Sequence, residues 1–118
     1  MDKVNISQKF SLFADLWSPK TVGSFNDHYI KLAKIHGEFV WHHHENEDEM
    51  FLVVQGELLI KLRDKDVLLL PGEFFIVPKG VEHKPVAEEE VHIILIEPNT
   101  TVNTGNVQND STKRDQWI

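Results

Sequence analysis

At 118 residues, with 41% apolar and 26% charged content, the chain is long enough for one domain with its own core. It contains no cysteine, which excludes disulfides, thiolate metal sites and cysteine nucleophiles. A net charge of −7 opposes binding to phosphate backbones, and Lys61, Arg63 and Lys65 read as a solvated face, so no nucleic-acid partner is expected. The N-terminal MDKVNISQKF lacks the apolar stretch of a signal peptide and no run is long enough to span a membrane, so a cytoplasmic protein is expected.

In chain order, residues 1–16 fit either a short helix, with Phe10, Phe13 and Ala14 on one face, or a strand. Ser18-Pro19 breaks the chain, and residues 21–25 and 28–35 read as strands, with His36-Gly37 turning into the next. Residues 38–44 and 50–54 follow as strands joined by the acidic loop Glu45-Asn46-Glu47-Asp48. Gln55-Gly56 marks a turn, residues 57–62 alternate well, and Arg63-Asp64-Lys65-Asp66 forms a hairpin loop before residues 67–70. Pro71-Gly72 has the residue order of a type II turn, residues 74–77 form a short strand, and Pro78-Lys79-Gly80 turns again. Residues 81–87 and 91–97 then read as two strands separated by an exposed Glu88-Glu89-Glu90 turn. From Pro98 the chain loses periodicity and reads as an irregular tail, with Trp117 placed to dock back. Short, evenly spaced strands punctuated by turns imply a single all-β domain, a sandwich or barrel, with a core spanning about residues 20–98.

The chemistry concentrates between Gly37 and Gly56. Three consecutive histidines, His42, His43 and His44, end an apolar run, and Glu49 follows five residues after His44. On a strand, His42 and His44 project to one face and His43 to the other. Two imidazoles with a carboxylate on the next strand form a partial metal cage, for which His83 is the candidate fourth ligand. His28, His36 and His92 are isolated and expected at the surface or core edge. Glu45, Glu47 and Asp48 read as a solvated loop, although a carboxylate beside a metal can serve as general base. Trp41, Phe51 and Phe75 are expected in the core or along a pocket wall.

These residues resemble the two motifs of the cupin superfamily, small β-barrels of jelly-roll type. The first motif appears as Gly37, His42-His43-His44, Glu49 and Gly56, with four residues rather than the usual five before the first histidine. The second appears as Gly72, Pro78-Lys79-Gly80 and His83, with Ala87 where the family usually has Asn. The motif surroundings are similar to small single-domain bacterial cupins labelled mannose-6-phosphate isomerase-like. The resemblance implies a cupin double-stranded β-helix over residues 1–118. It also implies one divalent metal on His42, His44, Glu49 and His83.

Three imidazoles and one carboxylate suit Fe, Mn, Ni, Zn or Cu and are poor for calcium. The alternative is that the four side chains line a barrel mouth without metal. The favoured reading is a metal-dependent isomerase, epimerase or dioxygenase acting on a small polar metabolite. A non-catalytic binding or sensing module, or a metal that only braces the barrel, are the competing readings. The resemblance also implies a homodimer, paired through outer strand residues with Phe10, Phe13 and Trp17.

Overall fold

The computed structural model describes residues 2–118. A short helix, α1 (Ile6–Phe10), precedes seven strands: β1 (Lys20–Phe25), β2 (His28–Glu38), β3 (Glu49–Gln55), β4 (Leu58–Leu62), β5 (Asp66–Leu69), β6 (Phe74–Val77) and β7 (His83–Pro98). Every pairing between them is antiparallel. The long strands β2 and β7 pair at the centre, and β7 is shared between two neighbours. Its first part pairs with β4, through Leu62↔His83 to Leu59↔Val86, and its last part with β3, through Gln55↔His92 to Met50↔Ile96. β1 flanks β2, β6 flanks β3, and β5 flanks β4.

The change of neighbour along β7 occurs at Glu88-Glu89-Glu90. These residues are exposed, but they do not form the expected turn; they lie inside one 16-residue strand. Register shifts between Ile35↔Val91 and Gly37↔Ala87, so β7 bulges here opposite His36. No residue of the glutamate run favours the positive φ of a tight turn, whereas a bulge bends a continuous strand from one layer to the other. Gly37 likewise does not end a strand: β2 runs through it, with φ at +89°. Residues 39–48, expected to begin as a strand ending at His44, are irregular apart from an isolated bridge between His42 and His83.

Period-two alternation fixes what faces inward. Ala33 and Ile35 of β2, Phe51 and Val53 of β3, and Leu58 and Ile60 of β4 pack with Leu69, Val77, Val91 and Ile93 in one core. Burying each of the larger aliphatic side chains contributes about 1.5–3 kcal/mol. Because β2 through β7 all supply this interior, the bent sheet closes around it.

A second cluster lies outside, where Phe10, Val22 and Leu32 pack with Ile6, Phe13, Ile30, Ile94 and Ile118. The helix is real but only five residues long, capped by Asn5, whose side chain accepts from Gln8 N at 3.0 Å. Met1, the first residue of the longer expected segment, lies outside the described residues. Phe10 and Phe13 therefore cover their own sheet. The tail from Asn99 is irregular, as expected, and it docks back: Ile118 N donates to Thr21 O at 3.1 Å, and Trp117 meets Tyr29 edge-on. Among the described residues no helix is long and apolar enough to cross a membrane.

Candidate metal centre

The loop after β2, the start of β3 and the start of β7 bring four side chains together. His42 and His83 exchange backbone hydrogen bonds at 3.1 and 2.9 Å, which sets their ring centroids 4.3 Å apart. The His44 ring lies 5.1 Å from that of His42 and 5.6 Å from that of His83. Glu49, the first residue of β3, places Oε1 3.2 Å from His44 Nε2 and 3.3 Å from His83 Nε2. One ligand atom from each of the four residues lies within 4.8 Å of the others, and all four residues are buried. The cluster could hold a metal ion. His43 points away, although no strand runs through it, and its Nε2 meets Glu45 Oε2 at 3.0 Å.

The polar atoms themselves argue for a cation. His44 Nδ1 and Nε2, Glu49 Oε1 and His83 Nε2 are buried without a hydrogen bond of acceptable geometry. Each such orphan costs about 1–3 kcal/mol, and a cation among them would satisfy the imidazole and carboxylate lone pairs together. Two of the rings are already oriented for this. The Nδ1–H of His42 donates to Val40 O and that of His83 to Val81 O, both at 2.9 Å, leaving each Nε2 with a free lone pair. Burial, reinforced by the neighbouring His83, lowers the His42 pKa to about 4. Burial pushes the Glu49 carboxyl up, but its contacts with His44, His83 and the Glu97 carboxyl outweigh it and hold the group well below the usual carboxylate range. Neutral imidazole beside ionised carboxylate is the state a divalent metal requires.

Two charged residues that the motif pattern did not single out lie inside the same barrel. Glu97 continues the inward series Val91, Ile93, Leu95 on β7 and is 2% exposed. That period-two series was the available signal for it. Burial and the adjacent Glu49 carboxylate raise its pKa well above the usual range, against the opposing charge of Lys31. Lys31, inward on β2 with Ala33 and Ile35, places Nζ 3.2 Å from Glu97 Oε1.

Beside the cluster a small pocket of about 40 Å³ opens to solvent, lined at one end by His42, Glu49 and Glu97 and elsewhere mostly by apolar side chains. Phe51 lines it. Trp41 does not; the Arg63 guanidinium covers its ring at 3.8 Å, and Phe75 packs against the core.

The loop carrying His42 and His44 is braced from two sides. Gly80 N donates to His44 O at 2.7 Å, and Lys79 N donates to Asp48 Oδ1 at 2.8 Å. From the tail, Asn106 N donates to His43 O at 3.0 Å and its Oδ1 accepts from His43 N at 2.8 Å. Gly105, at φ +57°, presses so close that an added Cβ would overlap the His43 carbonyl. His36 and His92 sit apart from the cluster, His92 stacked on Phe10 at 4.9 Å and bonded to Glu90.

A family model described as a cupin domain matches residues 29–97. The chain belongs to the cupin family. Its fold superposes on a cupin-2 domain-containing protein from Shewanella frigidimarina with a TM-score of 0.79 and 50% identity. That match covers 80% of this chain and 93% of the other. The cupin is 42% identical over 65 residues to the Bacillus subtilis protein YdbB, covering 54% of this chain and 58% of that protein. It is also 28% identical over 78 residues to an acireductone dioxygenase of Bacillus licheniformis, covering 62% of this chain and 44% of the enzyme. This cupin thus spans less than two thirds of the length of either curated relative. None of the three carries the isomerase-like label that the motif surroundings suggested.

Proposed function

We propose that this cupin binds one divalent transition metal through His42, His44, Glu49 and His83 and acts on a small molecule held in the adjoining pocket. The observation that carries the reading is the convergence of four buried donor residues, with lone pairs on His44, Glu49 and His83 left without partners. When bound, Fe, Mn, Ni, Zn or Cu would supply Lewis-acid polarisation of an oxygen on the held molecule, and a redox-active ion would add oxygen chemistry.

The protein's own contributions follow from position. His42 and His83 are held in fixed tautomers by Val40 O and Val81 O. Apolar side chains line most of the pocket beside the donors. Glu97, against Glu49 and facing the pocket, supplies a carboxyl within the same enclosure that is not itself in the donor set, the kind of group that proton transfer needs. That second carboxyl favours catalysis over passive binding. Of the reaction classes open to such a site, dioxygenation has a named relative in acireductone dioxygenase.

We also propose a homodimer. Because α1 and Ile118 already cover the β1–β2 side, the pairing surface falls on the outer face of β3 and β6. There Phe74 and Ile76 are exposed beside Met50 and Leu52.

The metal reading is tested by titrating chelator-stripped protein with Zn(II) in a calorimeter. One site per chain is expected, lost in His44→Ala while the β-sheet circular dichroism is retained. Undiminished uptake by His44→Ala would remove the assignment.

A further inference from the structure

The pocket has two unlike ends. Its polar atoms are gathered where His42, Glu49 and Glu97 meet, and Glu97 Oε2 there has no hydrogen-bond partner. The other polar residue on the wall, Asn103, is already engaged: its Nδ2 donates to Ser111 O at 2.8 Å and its Oδ1 accepts from Lys113 N at 2.9 Å. No lysine or arginine is among the described residues lining the pocket. Apart from the metal itself, a phosphate would find no cationic fork on the wall, and the hydroxyls of a sugar would meet carbon.

The apolar end is built around stacked rings. Trp17 and Phe39 lie nearly parallel, 4.7 Å between centroids at 14°, and Phe39 meets the His42 ring edge-on at 5.4 Å. An aromatic layer therefore runs from the pocket wall to a member of the donor cluster.

Trp17 occupies this place at a conformational cost. Its φ is +56°, a region that bulky residues avoid. It is held there by two hydrogen bonds, Trp17 N to Lys34 O and Trp17 Nε1 to His36 O, both 2.9 Å. Strain of this kind persists where surrounding structure over-determines it and tends to mark ligand clamps.

We propose that the pocket takes a compact ligand with a flat, largely apolar ring and an oxygen-bearing polar head. The ring packs along the Trp17–Phe39 wall, and the head sits at the His42/Glu49/Glu97 end. This substrate class rests on the metal site proposed above and excludes sugar phosphates from the pocket.

The test uses Zn(II)-loaded protein, which keeps redox turnover out of the measurement, and two chelating probes read by calorimetry. 4-Nitrocatechol carries a ring with an oxygen head; oxalate carries the head without the ring. Nitrocatechol should bind at least about tenfold more tightly than oxalate, and Trp17→Ala should weaken nitrocatechol by about tenfold while leaving oxalate unchanged. Trp17→Phe should keep most of the nitrocatechol affinity. If Trp17→Ala does not fold, Trp17→Gly adopts the positive φ without strain and carries the same expectation. Equal affinities for the two probes, or equal losses for both in the Trp17 variants, would overturn the substrate class while leaving the metal site standing. A wild-type protein that takes up no zinc would instead overturn the metal reading, and the ligand class with it.

Discussion

The Lys31 ammonium lies 3.2 Å from the Glu97 carboxylate, with the two side chains 5% and 2% exposed. Lys31 also reaches Asp115 of the tail at 2.9 Å, so a chain of charges runs from beside Glu49 to the surface. Lys31 opposes the rise that burial and Glu49 impose on the Glu97 pKa, so removing Lys31 strips the buried carboxyl of its balancing cation.

Lys31→Met should therefore destabilise the protein in denaturant unfolding, by less than the ~3–5 kcal/mol of a fully ionised buried pair because Glu97 can stay protonated, and Lys31→Met/Glu97→Leu should recover much of that loss. Additive losses in the double variant would show that the two residues stabilise the barrel independently.

The tail positions the donor loop through Gly105. Gly105→Ala places a Cβ against the His43 carbonyl at a positive φ, which forces the His42–His44 segment to move. Zinc affinity should fall about tenfold, the scale seen when groups supporting a metal ligand are lost. Unchanged affinity would mean that the tail contacts do not position the ligands.

The metal-free protein should lose stability on mild acidification. His42 titrates near 4 in the fold against 6.5 for a free imidazole. Between these values the unfolded chain holds a proton that the folded chain does not, so unfolding free energy rises with pH across the window. One group accounts for up to about 1.4 kcal/mol per pH unit. Denaturant midpoints of apo-protein should fall as pH drops from 6.5 toward 4, and His42→Gln should flatten that dependence. An identical slope in the variant would contradict the assignment to His42.

The outer face of β3 and β6 should hold the dimer. Phe74 is 59% exposed there, and Phe74→Lys should convert the protein to a monomer in light scattering without lowering zinc uptake. A wild-type monomer, or a dimer indifferent to the change, would place pairing elsewhere or nowhere.

The donor cluster was legible in the sequence because three of its members stand close together and the fourth follows a recognisable turn. His42 and His44 stand two residues apart, Glu49 opens the next strand, and His83 follows a Pro-Lys-Gly turn. Alternation also revealed most strands, since one buried face leaves a period of two. What escaped depended on tertiary context. Glu88-Glu89-Glu90 resembles a turn locally, and only the change of partner from β4 to β3 makes it a bulge within one strand. Glu97 carries the right period, but a glutamate after three aliphatic residues reads as a strand end until Lys31 is seen to face it. The roles of Gly105 and Asn106 come from a fold-back of the tail over about sixty residues of chain, which no local pattern encodes.

The most direct test of the metal centre is elemental mass spectrometry on untagged protein, since a polyhistidine tag would bind metal itself. The four-donor cluster predicts close to one iron, manganese, nickel, copper or zinc per chain, and none in His44→Ala. Wild-type protein that is metal-free as purified and takes up none on titration would contradict it.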